Sequence, residues 1–66
     1  MLGKIRRIMD RGYGFIRGDD GKDYFFHRSS VEGTTFEALS EGQSVEFDVE
    51  PDRRGRGPRA TRVRTG

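Results

Sequence analysis

The sequence predicts an all-β chain folded into one small barrel. Three observations carry that expectation. Short runs rich in Ile, Val, Tyr and Phe recur along the chain, glycines and acid-rich clusters punctuate them, and no stretch keeps a helical period for more than one turn. At 66 residues the chain can build one compact core and no second domain, so residues 1–66 read as a single unit. Closing a few short strands on themselves removes the exposed edges that a flat sheet of this size would leave.

The elements follow in order. Residues 4–9 and 12–17 are strand-like and too short for ordinary helices. Gly18-Asp19-Asp20-Gly21 is a turn signal, with the Asp-Gly step favouring positive φ. The next run, Asp23 to His27, holds three consecutive aromatics. Ser29 to Gly42 is a long connection. Within it Thr34-x-x-Glu37 is spaced as a capping box, and residues 36–39 suit one helical turn at most. Ser44 to Glu50 alternates polar and apolar residues strictly, the clearest strand signature in the chain, and Pro51 ends it. An Arg/Gly loop over 52–57 leads to a last, weakly apolar strand from Pro58 to Arg64. Five strands without a substantial helix fit a five-stranded antiparallel Greek-key barrel of the oligonucleotide-binding (OB) type.

Composition excludes several classes. With no Cys and one His there is neither a disulfide framework nor a zinc finger, and no metal or other cofactor is expected. No apolar run approaches the roughly 20 residues of a membrane span, and Met1-Leu2-Gly3-Lys4 lacks a signal-peptide core, so the reading is a soluble, cytoplasmic protein. The Asp19-Asp20-Asp23 cluster reads as a solvated hairpin turn, since a calcium loop needs more ligands in a longer register. An enzyme is not expected. The lone His lacks a Ser–Asp constellation, and Gly12-x-Gly14 enters a strand where a phosphate-binding glycine loop needs a helix.

The formal charge of +2 conceals three blocks: +4 over residues 1–17, −8 over 18–52 and +6 over 53–66. Eleven of the thirteen basic residues are Arg, whose guanidinium fork binds phosphate bidentately and stacks on bases. Two basic ends brought to one face would meet a polyanion. Alternatively, the blocked charges would serve a protein-interaction or assembly module.

Strand alternation then assigns faces. Ile5, Ile16, Phe26, Val45, Phe47, Val49 and Val63 are expected in the core, together with Tyr24. Tyr13, Phe15, Phe25 and His27 then stand outside, among Arg6, Arg7, Arg11 and Arg17. Exposed rings on adjacent strands in a basic field suit nucleobases, which stack without sequence preference at about 1–3 kcal/mol per base. Gly12 and Gly14 are expected to leave room for a base or backbone to approach the rings.

The motifs carry a resemblance. Arg11-Gly12-Tyr13-Gly14-Phe15-Ile16 resembles RNP1, and Tyr24-Phe25-Phe26-His27 resembles RNP2. Their order is reversed relative to the RNA-recognition motif, and the helices of that fold are missing. The chain instead resembles a cold-shock domain from Gly3 to Val63, through Gly21-x-Asp23-x-Phe25-x-His27-x-Ser29, Leu39-x-Glu41-Gly42-Gln43-x-Val45-x-Phe47 and Arg56-Gly57-Pro58-x-Ala60-x-x-Val63. That resemblance implies an OB-type barrel binding single-stranded RNA and DNA with broad tolerance, a stand-alone RNA chaperone and regulator of gene expression, monomeric and without metal. It implies stacking by Tyr13, Phe15, Phe25 and His27, with Phe36 joining from the loop. Phosphate or base contacts are expected from Lys4, Arg6, Arg7, Arg11, Arg28, Arg53, Arg54, Arg56 and Arg59. Residues 6–9 read Arg-Arg-Ile-Met where the family usually carries Lys-Trp-Phe-Asn, and Arg28 stands where an aromatic is common. Rings are thus exchanged for guanidinium groups, from which weaker stacking and a steeper salt dependence are expected.

Overall fold

In the computed structural model, residues 1–51 and 58–65 are described. Five strands form a closed barrel: β1 (Leu2–Met9), β2 (Tyr13–Gly18), β3 (Asp23–His27), β4 (Ser44–Pro51) and β5 (Pro58–Thr65). Their order around the barrel is β1-β2-β3-β5-β4, with β4 returning to β1. The expected class holds, with one pairing different. β3 and β5 meet in parallel through Phe25 and Arg59, whereas the other pairs are antiparallel. The reason is parity: strands alternating in direction around a closed ring must be even in number, so a ring of five contains a parallel neighbour.

The core holds Ile5, Ile16, Tyr24, Phe26, Phe36, Leu39, Val45, Phe47, Ala60 and Val63. Val49 departs from the expectation and is 40% exposed. It faces buried Ala60 across β5, but β1 pairs with β4 only as far as Glu46, so no strand covers Val49 on its other side.

The long connection carries two 3₁₀ turns, Arg28–Ser30 and Phe36–Ala38. The second is the expected single turn, but no capping box forms. Thr35 occupies the N-cap and makes no side-chain cap bond. Phe36 is 8% exposed and its ring lies 5.9 Å from that of Phe26. Its expected place on the stacking surface is therefore corrected: the turn delivers this ring to the barrel core.

Each of two strands contains one irregularity. In β1 the register passes from Ile5 opposite Ile16 to Arg7 opposite Phe15, leaving Arg6 as an extra residue. The bulge resets the alternation, so that Ile5 and Ile8 face the core, three positions apart, while Arg6 and Arg7 are both exposed. In β5 the register against β4 shifts between Glu46 and Asp48, and Arg62 there takes φ 50°.

Candidate nucleic-acid interface

The antiparallel register of β1, β2 and β3 fixes which outward side chains become neighbours. Tyr13 pairs with His27, Phe15 with Phe25, and Arg17 with Asp23. Across the β1 side, Met9 pairs with Tyr13, Arg7 with Phe15 and Lys4 with Arg17. One transverse row therefore reads Arg7, Phe15, Phe25, Arg59 over four strands, two rings between two guanidinium groups. The rows on either side read Met9, Tyr13, His27 and Lys4, Arg17, Asp23.

The rings touch one another. Tyr13 and Phe25 lie 5.6 Å apart between centroids at 32°, Phe15 and Phe25 6.0 Å apart at 69°, and Tyr13 and Phe15 6.2 Å apart at 87°. All three are half-buried, so each keeps surface turned to solvent. Edge-to-face packing of this kind stiffens the cluster.

His27 is exposed, and its orientation is fixed locally. It is the N-cap of the first 3₁₀ turn, where Nδ1 accepts the Ser29 backbone N–H at 3.1 Å and lies 3.0 Å from Ser29 Oγ. Accepting that bond puts the proton of the neutral ring on Nε2, the nitrogen left for a ligand.

Arg6, Arg7 and Phe15 line a concavity of about 550 Å³ together with Asp23. Asp23 is exposed at the start of β3, and strand alternation places its carboxylate on the face of Phe25 and His27. Arg17 Nε donates to Asp23 Oδ1 at 2.5 Å, and this bond, with the positive charge of Arg17 and Arg6, holds the Asp23 carboxyl below its usual range. Arg17 is thus engaged by a carboxylate.

Asp20 is exposed in the turn between β2 and β3, as expected, and is hydrogen-bonded there. It accepts hydrogen bonds from the Tyr24 hydroxyl and from the Lys22 backbone N–H, which lower its pKa, while its bond to Tyr24, together with burial, raises that of Tyr24.

Of the other expected contact residues, Lys4, Arg6, Arg7, Arg11 and Arg28 are exposed and Arg59 is half-buried, opposite Glu50 on β4. The Arg28 stem lies against Gly12, whose carbonyl accepts the Arg28 backbone N–H at 2.8 Å. Arg53, Arg54 and Arg56 lie outside the described residues. Gly14 serves a different purpose from the one expected. A Cβ there would run into the Arg7 carbonyl oxygen and come within 2.9 Å of the Phe26 ring. Its missing side chain lets β1 and the core close beneath the rings, and opens no space above them.

Among the described residues no helix is long and apolar enough to cross a membrane. Residues 1–65 match the family described as the 'Cold-shock' DNA-binding domain. The chain belongs to the cold-shock domain family. It is 50% identical over 54 residues to Cold shock protein 1 of Lactiplantibacillus plantarum, covering 82% of this chain and 79% of the relative. Over 65 residues it is 42% identical to a cold shock-like protein of Thermotoga maritima, covering 97% and 96%. Cold shock-like protein CspC of Bacillus cereus is 43% identical over 64 residues, covering 96% and 95%. In this cold-shock domain the outward row carries Arg7 and Arg59 at its two ends.

Proposed function

We propose that the chain binds single-stranded RNA or DNA without catalysing a reaction, and that it acts as an RNA chaperone and regulator of gene expression. The observation that carries this reading is the outward cluster of Tyr13, Phe15 and Phe25 beside His27, bounded by Arg7 and Arg59. Bases stack on the rings while Lys4, Arg6, Arg7, Arg11, Arg28 and Arg59 engage phosphates. Arg53, Arg54 and Arg56, which fall between β4 and β5 in the sequence, add to this. A core-facing role for these rings is disfavoured by their position, because Tyr24 and Phe26 already fill the barrel from the same strand as Phe25.

Weak secondary structure melts under this scheme without ATP, because ligand that binds only the open strand shifts the equilibrium by mass action. Stacking platforms discriminate little between bases, so broad sequence tolerance is expected. Titration of a labelled, unstructured oligonucleotide at a series of salt concentrations tests the reading. Each phosphate neutralised steepens the log–log salt slope by about 0.7 for a single strand. Arg7→Gln is expected to flatten the slope by about that amount, and Phe15→Ala with Phe25→Ala to weaken binding at least tenfold. Affinity untouched by the double substitution would overturn the proposal.

A further inference from the structure

The outer surface does not end at the rings. Where the first residues of β1 pair with β2 on one side and β4 on the other, a second groove of about 420 Å³ opens, within the range of small-molecule sites. Leu2, Lys4, Arg17, Asp19, Ser44 and Glu46 contribute to its lining, which is mostly apolar. Leu2 is 60% exposed, the most exposed of the large apolar side chains that the described surface carries.

The groove continues the ring-bearing face. Along β2 the outward positions are Tyr13, Phe15 and then Arg17, and Arg17 pairs with Lys4 on β1. The Tyr13 and Phe15 rings stand 6.2 Å apart, one step for every two residues. The near edge of the groove, at Arg17 and Lys4, lies one such step further on, and Leu2, level with Asp19, a second step. A strand laying consecutive bases on those rings meets it next.

Charge sets the direction of entry. Arg17 is engaged by Asp23 and Glu46 by Arg64, while Lys4 has no ion-pair partner among the described residues. Asp19 on the opposite rim has no such partner among the described residues and repels a phosphate. We propose that this groove is an additional nucleotide subsite of the same single strand. The base lies against Leu2 and the aliphatic stems of Lys4 and Arg17, and its phosphate turns to the Lys4 ammonium. This rests on the reading of the aromatic face as a single-strand surface.

The test is fluorescence anisotropy with labelled oligothymidylates of about four to about ten nucleotides, within the site sizes of such barrels. Leu2→Ser is expected to weaken the longest oligonucleotides about fivefold and to leave the shortest unchanged, while Leu2→Tyr tightens the longest. Unchanged binding of the short oligonucleotides also shows that the variant is folded. In the saturated complex of the longest oligonucleotide, the backbone amide signals of Gly3, Gly18 and Ser44 are expected to shift. A Leu2→Ser effect that is absent, or equal at every length, overturns the subsite, as do unmoved amides. Failure of the unaltered chain to bind any length at low salt overturns the reading of the aromatic face, and the subsite with it.

Discussion

Arg62 holds the left-handed backbone region at φ 50°, a conformation that costs a residue with a Cβ about 1–2 kcal/mol. It is the residue by which β5 exceeds β4 between the pairs Glu46–Arg64 and Asp48–Thr61. Its carbonyl accepts from Arg64 Nη1 at 2.8 Å, a contact independent of the Arg62 side chain. Glycine relieves the steric strain but gives back about 0.5–1 kcal/mol in unfolded-chain entropy. Arg62→Gly is therefore expected to stabilise the fold by up to about 1 kcal/mol, read as a higher urea midpoint at unchanged m-value. Nothing in the residue type announces this position, since Asn or Gly would be the usual choice there. Gly14 shows the opposite difficulty. Its importance was legible in the RNP1-like motif, but its reason was not, because the Phe26 ring and the Arg7 carbonyl come against it only once β1 and β3 have closed on β2.

At the scale of elements, the strands and their inward residues were largely legible, because alternation in β4 and in the two aromatic strands is a local signal. Val45 and Phe47 in β4, Ile16 in β2, and Tyr24 and Phe26 in β3 are all buried. Closure was not local. The parallel β3–β5 contact follows from strand number, and Val49 is exposed because β1 stops covering β4. The β1 bulge sits between these cases. Simple alternation from Ile5 puts Arg7 inside, and only the Ile5–Ile8 interval of three hints at an extra residue. The bulged register gives an opposed pair of outcomes. Ile8→Ala is expected to cost about 1–2 kcal/mol, less than a fully buried isoleucine, with little effect on oligonucleotide affinity. Arg7→Ala is expected to do the reverse, and a regular strand would exchange the two results. The β2–β3 hairpin carries an acid-sensitive contact of its own. Asp20 and Asp23 are held below the ordinary carboxylate value of about 4, so their contribution is complete above that pH and is lost as pH falls through the lower folded values. Asp20→Asn is accordingly expected to make the decline of the denaturation midpoint between neutral pH and about pH 3 shallower. Tyr24 has the opposite sign. Its raised pKa keeps its contribution intact below about pH 10, and the contribution fades as pH rises through the higher folded value.

For the whole molecule, stability and binding divide between the two sides of the same sheet. The inward residues of β1, β2 and β3 make the barrel. The outward ones leave apolar rings half in water, a use of hydrophobic area that adds little to folding in a chain this short. A ligand that covers those rings binds the folded state alone, since the cluster of Tyr13, Phe15 and Phe25 exists only when β2 and β3 are paired. At a free concentration of about 100 times its Kd it stabilises that state by about 2.7 kcal/mol. Domains of this size shift by about 4–8 °C per kcal/mol, so an unstructured oligonucleotide at that concentration is expected to raise Tm by roughly 10–20 °C. The same addition to the variant carrying Phe15→Ala and Phe25→Ala is expected to give at most about half of that rise, because binding weakened at least tenfold leaves the ligand at no more than about 10 times its Kd, worth about 1.4 kcal/mol. The unliganded variant should melt near the unaltered chain, since its core is untouched. Thermal melts of both proteins with and without oligonucleotide separate these effects. A ligand-induced rise of equal size in both proteins would place binding elsewhere on the barrel. A large drop in the unliganded variant would mean that the rings serve the fold, and that the outward face is not the surplus that the division into two sides requires.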